Sequence, residues 1–439
     1  MRRGLTDNLR FLLALGGVAV GGAVFAIAFR LSLGLLYRSV YHADNVVDGI
    51  TNLPRWLRLL VPVAGAILAG LIARLRNAPS QNVSNVMEAV ALGHVQLSMR
   101  ATASRVASSW AAIAGGMSIG REGPLIEFGG ALGAAVGRVT ATSLNRTRIL
   151  VAAGTAAGFA AAYNTPFAAT LFVLETIAGV VAPELILPVM GGTVAATLIT
   201  RAVVGVGPIY GQRAFGLESG LDVLSSIALG VVAAVGAITF KRVLALLESW
   251  AEDHPVPQPY RAAMGGLLVG VIAVWLPSVV GNGYEPLNRI LDGPMAVSAL
   301  AILLVAKLIA TSGSVASGVP GGIFTPMLLM GAALGSGWSH LFGSGGASAP
   351  DAGRYALIGM AAITAASIHA PLTAAVMIFE VSGDYPIALP LIVAAVVSTV
   401  VSRALGSESV YETELRKRGL GWDITLEGRQ LRRDSSPTQ

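Results

Sequence analysis

The stretch GGMSIGREGPLIEFGGALG, Gly115 to Gly133, places an adjacent Arg121 and Glu122 between Gly120 and Gly123-Pro124 in an otherwise apolar neighbourhood. Charges are expensive in such company, so the composition around them decides how to read them. Of 439 residues, 54% are hydrophobic and 12% are charged, against about a quarter charged in a soluble domain. Charge-free runs lie between Arg148 and Glu175, Glu184 and Arg201, Asp222 and Lys241, and Arg261 and Glu285. Each supplies most of the roughly 20 residues that a helix needs to cross a bilayer. Strand-type alternation is absent from these runs, which implies helices rather than a barrel. The chain reads as an all-α polytopic membrane protein.

The ends and the remaining composition narrow the reading further. Arg2, Arg3 and Arg10 precede an apolar run that continues to about Leu36. This run is too long for a signal-peptide core and lacks a small-residue cleavage site, so it is expected to be a retained first span. Arg416, Lys417, Arg418, Arg429, Arg432 and Arg433 make the tail basic. Basic flanks at both ends predict cytoplasmic termini and an even number of crossings. The net charge of +6 needs nothing beyond this, and no aromatic interleaving points to nucleic acid. Without cysteine, disulfides and thiolate metal sites are excluded.

The opening stretch is also written twice. GREGPLIEFGGALG (Gly120–Gly133) aligns without gaps on GIFTPMLLMGAALG (Gly322–Gly335), 202 positions later. NTPFAATLFVLE (Asn164–Glu175) parallels HAPLTAAVMIFE (His369–Glu380), 205 positions later. The expected organisation is a first transmembrane repeat over 1–205, a second over 206–411 and a short basic cytoplasmic tail over 412–439. Extramembrane loops are expected at Val203–Leu221, Ser249–Arg261 and Phe342–Arg354. An odd number of crossings per half would invert one half relative to the other, and such repeats place substrate near the midplane among broken helices.

Four helices are predicted to start near Pro124, Pro166, Pro326 and Pro371, because proline is favoured in the first turn, where its missing N–H has no intrahelical partner. A helix that begins inside the bilayer exposes N–H groups and a positive dipole end, which is tolerable where it lines a cavity or meets an anion. One terminus supplies about 0.3–2 kcal/mol to an anion, whereas dehydrating a buried ion costs on the order of tens of kcal/mol. Several converging termini are therefore expected, with glycines permitting close backbone approach. Glu122, at the positive end of the helix of Pro124, would act as a tethered rival to that anion, leaving when protonated.

GREGP, GGIFTP (Gly321–Pro326), the two Pro-led segments ending in Glu and KLIATSGSVASG (Lys307–Gly318) together resemble the CLC family of chloride channels and chloride/proton exchangers, from about residue 10 to Tyr411. The resemblance implies a homodimer of subunits built from two inverted halves with half-helices, each subunit carrying its own anion pathway. It implies chloride or a related small anion as substrate, protons as a possible second one, and no cofactor. Glu122 would be the external gating glutamate and proton acceptor. Ile323 and Phe324 would bind the central anion through backbone N–H groups, and Tyr411 would close the inner side. Gly123 and Arg121 would belong to the same anion site, Arg121 as a structural partner or a source of positive potential rather than a direct ligand.

The chain departs from the family pattern in three places. Gln81, in SQNVSNVMEAV (Ser80–Val90), stands where an anion-coordinating serine is usual. Thr176 follows Glu175 where proton exchangers commonly carry a second glutamate, which leaves the inner proton pathway without its usual carboxylate. Glu127 stands where apolar or amide residues are usual and receives no role from the resemblance. An intramembrane enzyme is disfavoured, since no HExxH, GxSxG or Asp dyad lies on an apolar span. The expected activity is chloride/proton exchange in the plasma or inner membrane, the alternative a voltage- or pH-gated passive chloride channel.

Overall fold

The computed structural model describes residues 2–74, 83–93, 97–179, 182–205, 207–211, 213, 215–216, 220–342, 349–425 and 428–433. The first half contains α1 (Arg2–Leu36), α2 (Val46–Thr51), α3 (Arg55–Arg74), α4 (Val83–Ala91), α5 (Met99–Ala114), α6 (Glu122–Val139), α7 (Leu144–Tyr163), α8 (Pro166–Phe172) and α9 (Pro183–Val204). The second contains α10 (Gly220–Asp253), α11 (Gln258–Trp275), α12 (Tyr284–Asp292), α13 (Val297–Ala316), α14 (Phe324–Phe342), α15 (Ala349–Ile368), α16 (Pro371–Ser382) and α17 (Ala388–Ala404). With α2 set aside, the eight remaining elements of the first half recur in order in the second. This is the two-repeat, inverted arrangement of broken and full helices that the duplicated motifs foretell.

Length and side-chain type sort the helices by environment. Among the described residues, five segments are long and apolar enough to cross a bilayer, including Thr6–Thr51, Gly220–Asp253 and Val297–Ala316. Their exposed side chains include Leu12, Leu13, Leu35, Leu198 and Val235, apolar groups that lipid can cover. The core helix α7 differs: every residue from Leu150 to Tyr163 is buried. Its alanines and glycines let backbones touch, since a Cβ on Gly129 of α6 would collide with the Gly154 carbonyl. Close packing of this kind replaces the hydrophobic drive that helices lose in lipid.

One expected loop needs correction. Ser249–Arg261 is not an open loop, because α10 runs to Asp253 and α11 resumes at Gln258. Of the expected loop Phe342–Arg354, α14 ends at Phe342 and α15 begins at Ala349, and residues 343–348 lie outside the described residues. At the C-terminal end, α18 (Val410–Lys417) leads into an antiparallel hairpin of β1 (Leu420–Thr425) and β2 (Gly428–Arg433). Ser409 caps α18 by accepting from the Glu412 N–H, while Glu412 accepts from the Ser409 N–H, a reciprocal capping box.

Candidate anion site

The two duplicated loops meet face to face. Gly120 N–H donates to the Gly322 carbonyl at 2.6 Å and Gly322 N–H to the Gly120 carbonyl at 2.8 Å, an isolated antiparallel bridge between the halves. With the Glu122 carboxylate in this position, a Cβ on either glycine would collide with it. The bridge brings the N-termini of α6 and α14 together. Their prolines stand at the third helical position, since α6 begins at Glu122 and α14 at Phe324.

Glu122 belongs to α6, but its carboxylate caps α14. The Phe324 N–H donates to Oε1 at 2.6 Å and the Thr325 N–H at 3.3 Å. The Thr325 hydroxyl donates to Oε2 at 3.3 Å and shares a 2.6 Å hydrogen bond with the Tyr163 hydroxyl. Glu122 is only 2% exposed. A buried carboxylate is expensive, and three donors compensate it, each bond to a charged acceptor contributing about 1.5–3 kcal/mol. The same donors suit a small free anion.

A cavity of about 110 Å³ reaches from Glu122 to Lys417, lined by Gly123, Ile323 and Tyr411 among others. Ile323 meets it, but the N–H groups that reach the carboxylate belong to Phe324 and Thr325. Arg121 precedes α6 and is not on the cavity lining. Gln81 lies outside the described residues. Thr176 sits in a π-helical turn, Val173–Ala178, with its hydroxyl buried and without a hydrogen-bond partner, and it is not on the cavity lining. Thr325 and Tyr163 were not singled out from the sequence, although Thr325 lies inside the GGIFTP motif.

Of the four Pro-led helices, α6 and α14 bring their starts to the Glu122 carboxylate, whereas α8 and α16 do not. The α16 N-terminus is filled by Glu175, which accepts from Leu372 N–H at 3.2 Å, Thr373 N–H at 2.7 Å and the Thr373 hydroxyl at 2.6 Å. The α8 N-terminus is filled by Glu380, which accepts from Phe167 N–H at 3.1 Å and Ala168 N–H at 2.7 Å. The anion cavity is instead completed by the first residues of α4, Val83 and Ser84, and of α18, Val410 and Tyr411. Neither helix starts with proline, so the proline signal does not reveal them, and only the family resemblance pointed to Tyr411 and to the stretch Ser80–Val90.

Residues 64–403 match the family described as voltage gated chloride channel. A putative chloride channel protein ClcB-like of Ralstonia nicotianae is 38% identical over 419 residues, covering 92% of this chain and 97% of its own. A voltage-gated ClC-type chloride channel ClcB of Escherichia coli O6:H1 is 32% identical over 409 residues, covering 90% of this chain and 96% of the relative. The crystal structure of a slow cyanobacterial Cl-/H+ antiporter superposes with a TM-score of 0.82 at 24% identity, covering 93% of this chain and 98% of that one. A CLC-type fluoride/proton antiporter superposes at 0.73 and 20% identity, covering 91% and 97%. With a duplicated glycine-bridged site and full-length relatives of this kind, the chain belongs to the CLC family of chloride-transporting integral membrane proteins.

Proposed function

We propose that this protein exchanges chloride for protons, with Glu122 as both gate and outer proton carrier. The observation that supports this reading is the position of the Glu122 carboxylate on the Phe324 and Thr325 N–H groups, where a transported anion would bind. Protonation removes the charge those donors hold, so the side chain leaves and a chloride replaces it. The carboxylate is thus exclusive with the anion, and its proton travels when it swings. The decisive experiment imposes a chloride gradient on liposomes containing the purified protein and follows external pH. Uphill proton movement that vanishes in Glu122→Ala supports exchange, whereas chloride efflux without proton movement leaves a passive channel. One observation favours that second reading: Thr176 has no titratable group and is not on the cavity lining.

The basic flanks argue for cytoplasmic termini, and the bacterial relatives argue for the inner membrane. The repeat division at 1–205, 206–411 and 412–439 and a homodimeric assembly with one pathway per subunit complete the proposal. The protein would act as a transporter and not as an enzyme, with no cofactor. Chloride is the favoured ion, and Gln81 would bias its competition with nitrate.

A further inference from the structure

Glu127 is 5% exposed and stands five residues after Glu122 on α6, about 7.5 Å further along the axis at 1.5 Å per residue. It is ion-paired with Arg105 of α5, whose Nε and Nη2 both reach its Oε1. Arg105 Nη2 also donates to the Thr102 hydroxyl at 3.1 Å, and its Nη1 is buried without a partner. Burying two charges costs several kcal/mol per ion, and the pair recovers this only when its hydrogen bonding is complete. Here the Nη1 amino group, with its two N–H donors, is left over, so packing alone does not account for an acid at this position. Both members line the cavity that holds Glu122 and Tyr411. The other charged groups on that lining are Lys241 and Glu248 of α10 and Glu414 and Lys417 of α18. Glu248 and Glu414 have side chains 25% exposed, so Glu127 is the deep carboxylate between them and Glu122 among the described residues. The cavity has room for several water molecules.

We propose that Glu127 is the inner proton-carrying group of this protein, at a position different from that of Thr176. A hydronium arriving from the Lys417 end gives its proton to the Glu127 carboxylate, forming a carboxylic O–H and leaving water. Glu127 then returns the proton to cavity water, which passes it to Glu122 once that carboxylate has left the Phe324 and Thr325 N–H groups. Arg105 restores the ionised form between turnovers. This inference rests on the exchange reading, and its test separates the two. Wild type, Glu127→Gln, Glu127→Asp and the Arg105→Gln/Glu127→Gln double variant are reconstituted, and chloride efflux and external pH are recorded together. In Glu127→Gln the protons moved per chloride fall by about tenfold or more, as expected when a proton-transfer group is removed. The double variant, which has no unpaired buried charge, shows the same fall even where the single variant assembles poorly. Glu127→Asp retains proton movement. An unchanged ratio in the double variant overturns the role of Glu127 and leaves exchange standing. Wild type that moves no protons overturns both.

Discussion

Two pairs of Pro-led helices share one sequence grammar and end in opposite ways. In the α8/α16 pair each half supplies a glutamate, and Glu175 and Glu380 reciprocally fill each other's helix starts. In the α6/α14 pair only the first half has one. The position equivalent to Glu122 in the second half is Phe324, whose own N–H is what Glu122 occupies. The symmetric pair is closed, with a fixed carboxylate for each helix. The asymmetric pair has one carboxylate held by two N–H groups and a hydroxyl, on a side chain next to a cavity, so removing it leaves donors for a mobile anion. Breaking the internal symmetry at one residue distinguishes the reciprocally filled joint from the candidate anion site.

The comparison can be broken most forcefully at Glu122. Glu122→Gln mimics the protonated gate, and an amide is held more weakly than a carboxylate by about 1.5 kcal/mol, a change of about tenfold in occupancy. Chloride flux should therefore rise at neutral external pH and lose its dependence on that pH. Flux that keeps the wild-type pH profile would falsify the tethered-rival mechanism.

Restoring the missing symmetry is the next test. Phe324→Glu places a second carboxylate beside the first, and like charges in a shared buried site oppose each other and any incoming anion. Chloride flux is expected to drop by about tenfold and to recover partly when Glu122→Gln is added. No recovery in the double variant would mean that Phe324 matters as packing rather than as an uncharged counterpart.

At the closed pair the effect should appear in stability. Glu380→Gln weakens two charge-assisted bonds, lowering stability by about 1–3 kcal/mol, which thermal unfolding in detergent would register. The response of flux to external pH should stay as in wild type. A shifted pH response would show that the two pairs are not functionally separate. The smallest change is expected from Gln81→Ser, a shift in the chloride-to-nitrate ratio with assembly intact, measured by anion competition in liposomes. An unchanged ratio would remove this loop from the anion path.

Much of this was legible in linear order because its causes are local. Low charge and long apolar runs require helices in lipid, the duplicated motifs require two related halves, and Glu122 stands out because a carboxylate beside glycine and proline in an apolar chain needs a reason. Helix starts at Pro166 and Pro371 follow from proline's missing N–H, whatever surrounds them. What each helix start faces is another matter. Glu122 meets Phe324 across 202 positions, Glu380 meets Ala168 across 212, and Glu175 meets Thr373 across 198. Nothing in a Pro-led segment ending in Glu says whether its donors will meet a fixed carboxylate or a removable one, and α4 and α18 carry no proline to announce their ends at the cavity. The pairing of Arg105 with Glu127, from two separate helices, is equally invisible along the chain. Sequence alone determined the bilayer, the duplication and the exceptional glutamate, because these depend on composition and neighbouring residues. Only the tertiary structure decided which N-termini are filled by a paired glutamate of the other half and which by the single Glu122 beside the cavity, because orphan N–H groups take whatever acceptor the packing of two distant halves brings within about 3 Å.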